Sequence, residues 1–140
     1  MVTDGDKSCE DQWWLELPEG KQWVQIDLQT NASIYAVWVW HFHLKQYVYK
    51  NVLVAVSDDP KFKQNTAVIF NNDFENIMGF GAGTNLNYLD DYAGKLIDAK
   101  GVQGRYLRLY SNGNNENKTN HYVEVEVFGK PCKVNSPRQP

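Results

Sequence analysis

From Trp23 to His43 the chain reads WVQIDLQTNASIYAVWVWHFH, and its side chains alternate between two faces with a period of two. Trp23, Gln25 and Asp27 interleave with Val24, Ile26 and Leu28, the pattern of a half-buried β-strand. Gln29-Thr30-Asn31 reads as a short polar turn into a second strand, Ile34 to His43. One face of that strand holds Val37, Val39, His41 and His43, and the other Ala36, Trp38, Trp40 and Phe42. A strand apolar on both faces is expected to lie centrally or to be covered on both sides. Such a stretch commits the chain to a sheet.

The remaining sequence keeps the same rhythm. Further strands are expected at Val52–Val56, Thr66–Phe70, Lys95–Ala99, Arg105–Tyr110 and Tyr122–Phe128, each bounded by Gly, Asn, Asp or Pro turn signals. Residues 1–22 read as a loop-rich lead-in. No segment of helical length carries a 3.6-residue period, so the expectation is an all-β sandwich of about eight strands. A length of 140 residues suits one domain. The domain is placed at residues 1–132, with residues 133–140 as a C-terminal tail or linker. The start, directly in a loop-like segment, suggests a domain excised from a longer protein.

Charge narrows the function. Fourteen basic and seventeen acidic residues give a net charge of −3, and no Lys/Arg block occurs. Nucleic acid, whose binding rests on many phosphate-neutralising contacts, is therefore not an expected partner. No apolar run reaches the roughly 20 residues of a membrane-spanning helix. Five Trp and eight Tyr exceed the needs of one core, so some are expected to serve a surface. Trp23, Trp38 and Tyr106 are assigned to the core.

Catalytic signatures are weak. No serine lies in a GxSxG elbow. Asp58-Asp59 and Asp90-Asp91 are adjacent pairs at turns, unlike the two separated carboxyl groups that flank a glycosidic bond. His41 and His43 share a strand face with roots about 6.5–7 Å apart, a spacing compatible with two ligands of one transition metal. Asp73 or His121 would have to supply a third. No catalytic residue is assigned, and a His-based metal enzyme is the weakest reading.

Cys9 and Cys132 lie near opposite ends of the chain, too far apart in sequence for a CxxC-type site. A bridge between them would close a very long loop, worth about 4–5 kcal/mol in the chain-entropy model. The alternative is two free thiols. The bridge would imply an oxidising compartment, extracellular or periplasmic.

The longest irregular stretch, Asn71 to Asp91, is rich in Asn, Gly and scattered aromatics. A loop of that length in a compact domain is expected to be functional. Sugars present apolar C–H faces and a fringe of hydroxyls, so a sugar site needs an aromatic platform among amides and imidazoles. The candidate ligand-contacting residues are Trp14, His41, His43, Tyr47, Asn71, Asn72, Asp73, Phe80, Tyr88 and Asn112.

The order of phrases DGDKS, GKQWVQIDL, IYAVWVW, VAVSDDP, GRYLRLYSNG and EVEVFG resembles a discoidin-type (coagulation-factor C-type) domain. The resemblance runs from Asp4 to Cys132 and is similar to that of family 32 carbohydrate-binding modules. It implies a galactose-binding-like jelly-roll fold and a non-catalytic glycan-binding role within a larger secreted bacterial protein. The alternative it carries is a cell-adhesion or protein-interaction domain. It also implies a disulfide joining the termini, and a structural calcium held by Asp4, Asp6 and Ser8 and completed by Glu124, with Glu126 as the alternative. Calcium takes six to eight hard oxygens, which that loop would supply. The segment FNNDFENIMGFGAG departs from the family pattern, so the resemblance assigns it no role.

Overall fold

The computed structural model describes residues 1–10 and 13–133. The expected tail from residue 134 onward lies outside the described residues. Seven strands are described: β1 (Leu15–Leu17), β2 (Gln22–Trp40), β3 (Leu53–Ser57), β4 (Thr66–Asn71), β5 (Lys95–Ser111), β6 (Asn120–Tyr122) and β7 (Glu124–Pro131). Five of them form one antiparallel sheet in the order β4-β3-β5-β2-β7, and β1 pairs with β6.

The two strands expected on either side of Gln29-Thr30-Asn31 are one long strand. β2 pairs with β5 before the break, Trp23 with Tyr110, and after it, Val37 with Ile97. Gln29 takes φ 66° and its N–H donates to Asp27 Oδ1 at 2.7 Å, so the polar tripeptide makes a bulge rather than a hairpin. Bulges bend a strand and raise its twist without ending it. β5 is likewise one strand where two were expected, with Lys100 and Gly101 at positive φ. The bent β2/β5 ladder folds the sheet over itself. Val54, Val56, Leu107 and Leu109 from one half therefore share a core with Val37, Val39, Ile97 and Val125 from the other. Their burial leaves almost no accessible surface, and truncating such a leucine to alanine costs about 2–5 kcal/mol.

β3 is buried along its whole length. Its other face, Leu53 and Ala55, packs with Phe62 and Tyr110 under Met78, Phe80 and Tyr106. Part of the long 71–91 loop is thus a lid over the outside of the sheet.

Two expectations fail here for structural reasons. Trp23 is 52% exposed, lying under the Arg108 guanidinium at 4.2 Å, and Trp38 and Tyr106 are only half-buried. All three sit on the outer faces of the folded sheet. The Cys9–Cys132 bridge is not formed, and both thiols are free. Cys9 is buried with Trp40 and Val123, 3.4 Å from His43 Nδ1, beyond the end of β2. The Cys132 N–H donates to Asn31 O, and its sulfur lies 4.0 Å from Ser33 Oγ. Ser33 and His43 are separated by about 30 Å of extended chain, while a disulfide needs Cα atoms within about 7 Å.

Candidate functional site

The loops after β2, β4 and β5 gather at one end of the sandwich. The 44–51 segment is tied to the 112–115 segment by Lys50 N–H to Gly113 O, Asn112 N–H to Lys50 O, and Asn115 N–H to Val48 O. The Asn112 amide then donates to Asn51 Oδ1 at 3.1 Å. Asn51 in turn donates to Asp73 Oδ1 at 2.8 Å. A chain of side-chain amides therefore links three loops.

Asp73 is the hub of the 71–91 loop. It is fully buried, and its Oδ1 also takes the Ile77 N–H at 3.0 Å while Oδ2 takes the Met78 N–H at 2.7 Å. Its carbonyl accepts the N–H groups of Asn76 and Gly83. Gly83 is required by contact, since a Cβ there would lie 2.5 Å from Asn71 O and 2.7 Å from Asp73 N. Asn71 holds the loop's far side: its N–H donates to Asn85 Oδ1, its amide to Gly81 O, and its Oδ1 accepts the Asp73 N–H.

This scaffold frames a cleft of about 270 Å³ lined by Lys50, Asn51, Asn72, Phe74, Glu75 and Asn87. Phe74 is half exposed at its edge. Asn72 is buried, its Oδ1 accepting the Val52 N–H at 2.7 Å, and its Nδ2 has no acceptor. A buried donor left unpaired costs about 1–3 kcal/mol.

A second cleft of about 560 Å³ lies beyond, lined among others by Lys7, Cys9, His43, Asp90, Asp91 and Tyr92. Burial pushes the Cys9 thiol pKa up. The segment from Asn87 to Tyr92 divides the two clefts. Between them Tyr88 and Asp90 reach the core at His41. The His41 Nδ1–H donates to Asp90 Oδ1 at 2.8 Å, with the Tyr88 hydroxyl 3.2 Å from the same nitrogen. Burial raises the Tyr88 phenol pKa far above its ordinary value.

The expected site residues therefore separate. His41 is buried and stacks on Tyr49 with ring centres 4.5 Å apart. His43 lines the second cleft, its Nδ1–H donating to His41 O at 2.9 Å, so the two rings do not share a ligand. Asp73 belongs to the first cleft's frame, and His121 is buried between Tyr49 and Glu16. Among the described residues no three His, Cys, Asp or Glu side chains converge as a metal-holding group. Tyr47 is core, packed on Phe42, and Phe80 packs on Tyr110 at 5.4 Å. Asn71, Asp73 and Asn112 organise loops. Trp14 packs edge-on against Phe42 at 5.0 Å and lines a separate apolar cleft with Trp13. Of the residues expected to meet ligand, Asn72 faces the first cleft and His43 the second. Phe74, Lys50, Glu75 and Asn87 were missed. Phe74 carried a usable signal, as a lone aromatic between Asn72-Asp73 and Glu75-Asn76.

The lead-in loop meets β7 at Glu124. This buried carboxylate accepts the N–H groups of Asp4 and Gly5 at 3.1 and 3.2 Å. Glu126 points away into an ion pair with Lys7 at 2.7 Å. Burial pushes the Glu124 pKa up, against the lowering effect of the hydrogen bonds from the Asp4 and Gly5 N–H groups. Asp4 Oδ1 and Asp6 Oδ1 each take the N–H two residues on, folding the loop into successive turns. The oxygens are of the hard type calcium uses, and Asp4 and Glu124 meet, whereas Asp6 is turned towards Ser8.

A folded-over antiparallel sandwich with loops gathered around clefts at one end is the architecture of a galactose-binding-like domain. The sequence agrees: residues 1–109 match the family described as NedA-like, galactose-binding domain (F5/F8 type C), and the chain belongs to it. No curated protein sequence matches it. Among solved structures it is similar to a family 89 glycoside hydrolase from Clostridium perfringens in complex with 2-acetamido-1,2-dideoxynojirmycin. That likeness has a TM-score of 0.70 at 19% identity and covers 99% of this chain but 13% of the hydrolase. It is also similar to the family 32 module of AlyQ in complex with 4,5-unsaturated mannuronic acid, with a TM-score of 0.65, 16% identity, and 91% and 82% coverage. A chitosan-binding module from a Paenibacillus sp. IK-5 chitosanase/glucanase gives a TM-score of 0.63, 17% identity, and 91% and 82% coverage. At these identities the likeness is one of fold. No helix in the described residues is long and apolar enough to cross a membrane.

Proposed function

We propose that this chain is a non-catalytic glycan-binding module whose ligand enters the Lys50–Asn72–Phe74 cleft. The observation that carries the reading is the pairing of a half-exposed aromatic ring with a polar floor fixed in advance by the Asp73 and Asn51 network. A sugar's C–H face stacks on Phe74, and its hydroxyls meet Lys50, Glu75 and Asn87. Preorganised donors lose little entropy on binding. One small site of this kind binds weakly, and several copies or modules in one protein raise avidity. Secretion and membership of a larger enzyme are supported by neighbours such as the AlyQ fragment that joins this fold to an alginate lyase domain.

A structural calcium at the lead-in belongs to the same proposal. Asp4 and Glu124, with carbonyls of the loop, would hold it, and its charge would offset the buried Glu124 carboxylate. Asp6 and Ser8 would have to turn inward from their present hydrogen bonds. The ion would rigidify the loop rather than meet the sugar.

A glycan array read with and without EDTA, repeated with Phe74→Ala, tests both parts. The expected result is array binding by the parent chain and at least about tenfold loss in Phe74→Ala, the worth of one stacked ring. Calcium is expected to raise Tm while leaving ligand selection unchanged. Binding that survives Phe74→Ala undiminished would move the site elsewhere.

A further inference from the structure

A sheet edge presents free backbone groups to any strand that can pair with them, and the five-stranded sheet has two edges, β4 and β7. β4 is tied over at its end, where Asn71 and Asn85 exchange hydrogen bonds. β7 is different. The Cys132 N–H, just past its end, turns towards β2 and donates to Asn31 O. Successive N–H groups of a strand point to opposite sides, so those of Val125, Val127 and Gly129 face away from β2. Val2 O takes the first of them. Among the described residues no strand pairs with Val127 or Gly129 on that side, since β7 has β2 as its one strand neighbour. Pro131, next in the series, has no N–H to give. The open stretch is therefore short and closed at both ends.

Its sequence, EVEVFGKP, is complementary to itself about Phe128. Laid antiparallel on a second β7 with Phe128 facing Phe128, Val127 falls opposite Gly129 and Glu126 opposite Lys130, each twice. The Val127 and Gly129 pairs are of the hydrogen-bonded kind, so four N–H···O=C bonds use the open groups of the edge. Phe128 takes the closer, non-hydrogen-bonded position. Its ring is half exposed beside Ala36, on an outer face where Tyr35 and Leu96 are also exposed. Glu126 and Lys130 lie on the same face, so two opposite-charge pairs flank the two rings. Lys130 has no ion pair among the described residues, and Glu126 meets Lys7 through one oxygen only. Neighbouring registers lose the match. Centring on Val127 or Gly129 sets Phe128 against Glu126 or Lys130. It also asks Val125 or Pro131 for a hydrogen bond that neither has free.

We infer that β7 pairs edge to edge with β7 of a second copy of this chain, in a two-fold dimer that joins the two five-stranded sheets into one. Glu124 lies opposite Trp40 at the end of the β2/β7 ladder where the cleft-bearing loops begin. Antiparallel pairing therefore points the loop ends of the two copies in opposite directions. The dimer stands apart from what those loops bind.

Sedimentation velocity of the intact chain, without added ligand and over a wide range of concentration, tests the inference. So small an interface is weak, and the weight-average mass is expected to climb with concentration towards twice that of one chain. Lys130→Glu sets acid against acid at both pairs, and Glu126→Lys sets base against base. Each is expected to weaken association at least about tenfold. Lys130 is exposed and Glu126 half-buried, and far-UV circular dichroism reports that both variants are folded. An equimolar mixture of the two restores opposite charges at both pairs, as does the double variant Glu126→Lys/Lys130→Glu, and both are expected to recover the parent's association. A parent chain monomeric at every concentration would overturn the inference and leave the edge to a strand of a different protein. Single variants that associate as the parent does, or a mixture that fails to recover, would overturn it equally.

Discussion

Replacing Asp73 by asparagine tests the claim that one buried carboxylate organises the loop that makes the cleft. The substitution is nearly isosteric, so packing is unchanged. Asn Oδ1 can go on accepting from Asn51 Nδ2 and the Ile77 N–H, now as neutral bonds in place of charge-assisted ones at 2.8 and 3.0 Å. The new NH2 group, however, faces the Met78 N–H, which lies 2.7 Å from the present Oδ2. Losing that bond costs about 1.5–3 kcal/mol, and weakening the other two adds about 1 kcal/mol. A total near 3 kcal/mol is a large share of the stability of a domain this size and corresponds to a fall in Tm of about 10 °C. The loss is local, so hydrogen exchange should speed up most at the Ile77 and Met78 amides, with β2 and β5 protected. Binding at the proposed sugar site should weaken with the loop. An Asp73→Asn protein whose Tm stays within about 2 °C of the parent, with both amides still protected, would refute the assignment of Asp73 as the hub.

Three other outcomes follow from the structure. Burial lowers the His121 pKa, against the opposing pull of Glu16, so the unfolded chain takes up a proton near its ordinary value of about 6.5 before the folded chain does. Stability is therefore complete above that value and falls as pH drops through the lowered folded pKa; Tm should drop more steeply between pH 7 and 5 in the parent than in His121→Gln, and equal slopes would contradict the sign. With Cys9 and Cys132 at opposite ends of the β2/β7 ladder, thiol titration of the unfolded protein should find two free thiols and added reductant should leave Tm unchanged, whereas a reductant-sensitive Tm would mean a bridge. Gly94 has φ +68° and a Cβ there would lie 2.6–2.8 Å from the Trp40 ring, so Gly94→Ala combines backbone strain with overpacking, should cost about 2–4 kcal/mol in urea denaturation, and would disprove the tight fit by costing nothing.

The scaffold was legible because β-structure writes its period into the chain. The alternation of Val24, Ile26 and Leu28, and again of Val37 and Val39, marked the core face correctly, whereas His41, one step further along that face and expected to meet ligand, is buried. Family resemblance added the jelly-roll topology and the approach of a final-strand glutamate to the lead-in, where Glu124 rather than Glu126 lies. The sequence by itself thus determined the inward face of the aliphatic strands and the class of sheet they build, since both depend on local periodicity, but not the burial of Trp23, Trp38 and Tyr106. What it left open depended on where distant segments meet. Whether Gln29–Asn31 ends a strand or bends it is settled by continuous pairing with β5 on both sides. Whether Cys9 reaches Cys132 is settled by the length of the ladder between them. The division of labour among Asn71, Asn72 and Asp73 is settled by single hydrogen bonds to Asn85, Val52 and Met78. Three adjacent polar residues look alike in a sequence. Only the tertiary fold spends the hydrogen bonds of two of them and leaves one buried donor of the third unpaired.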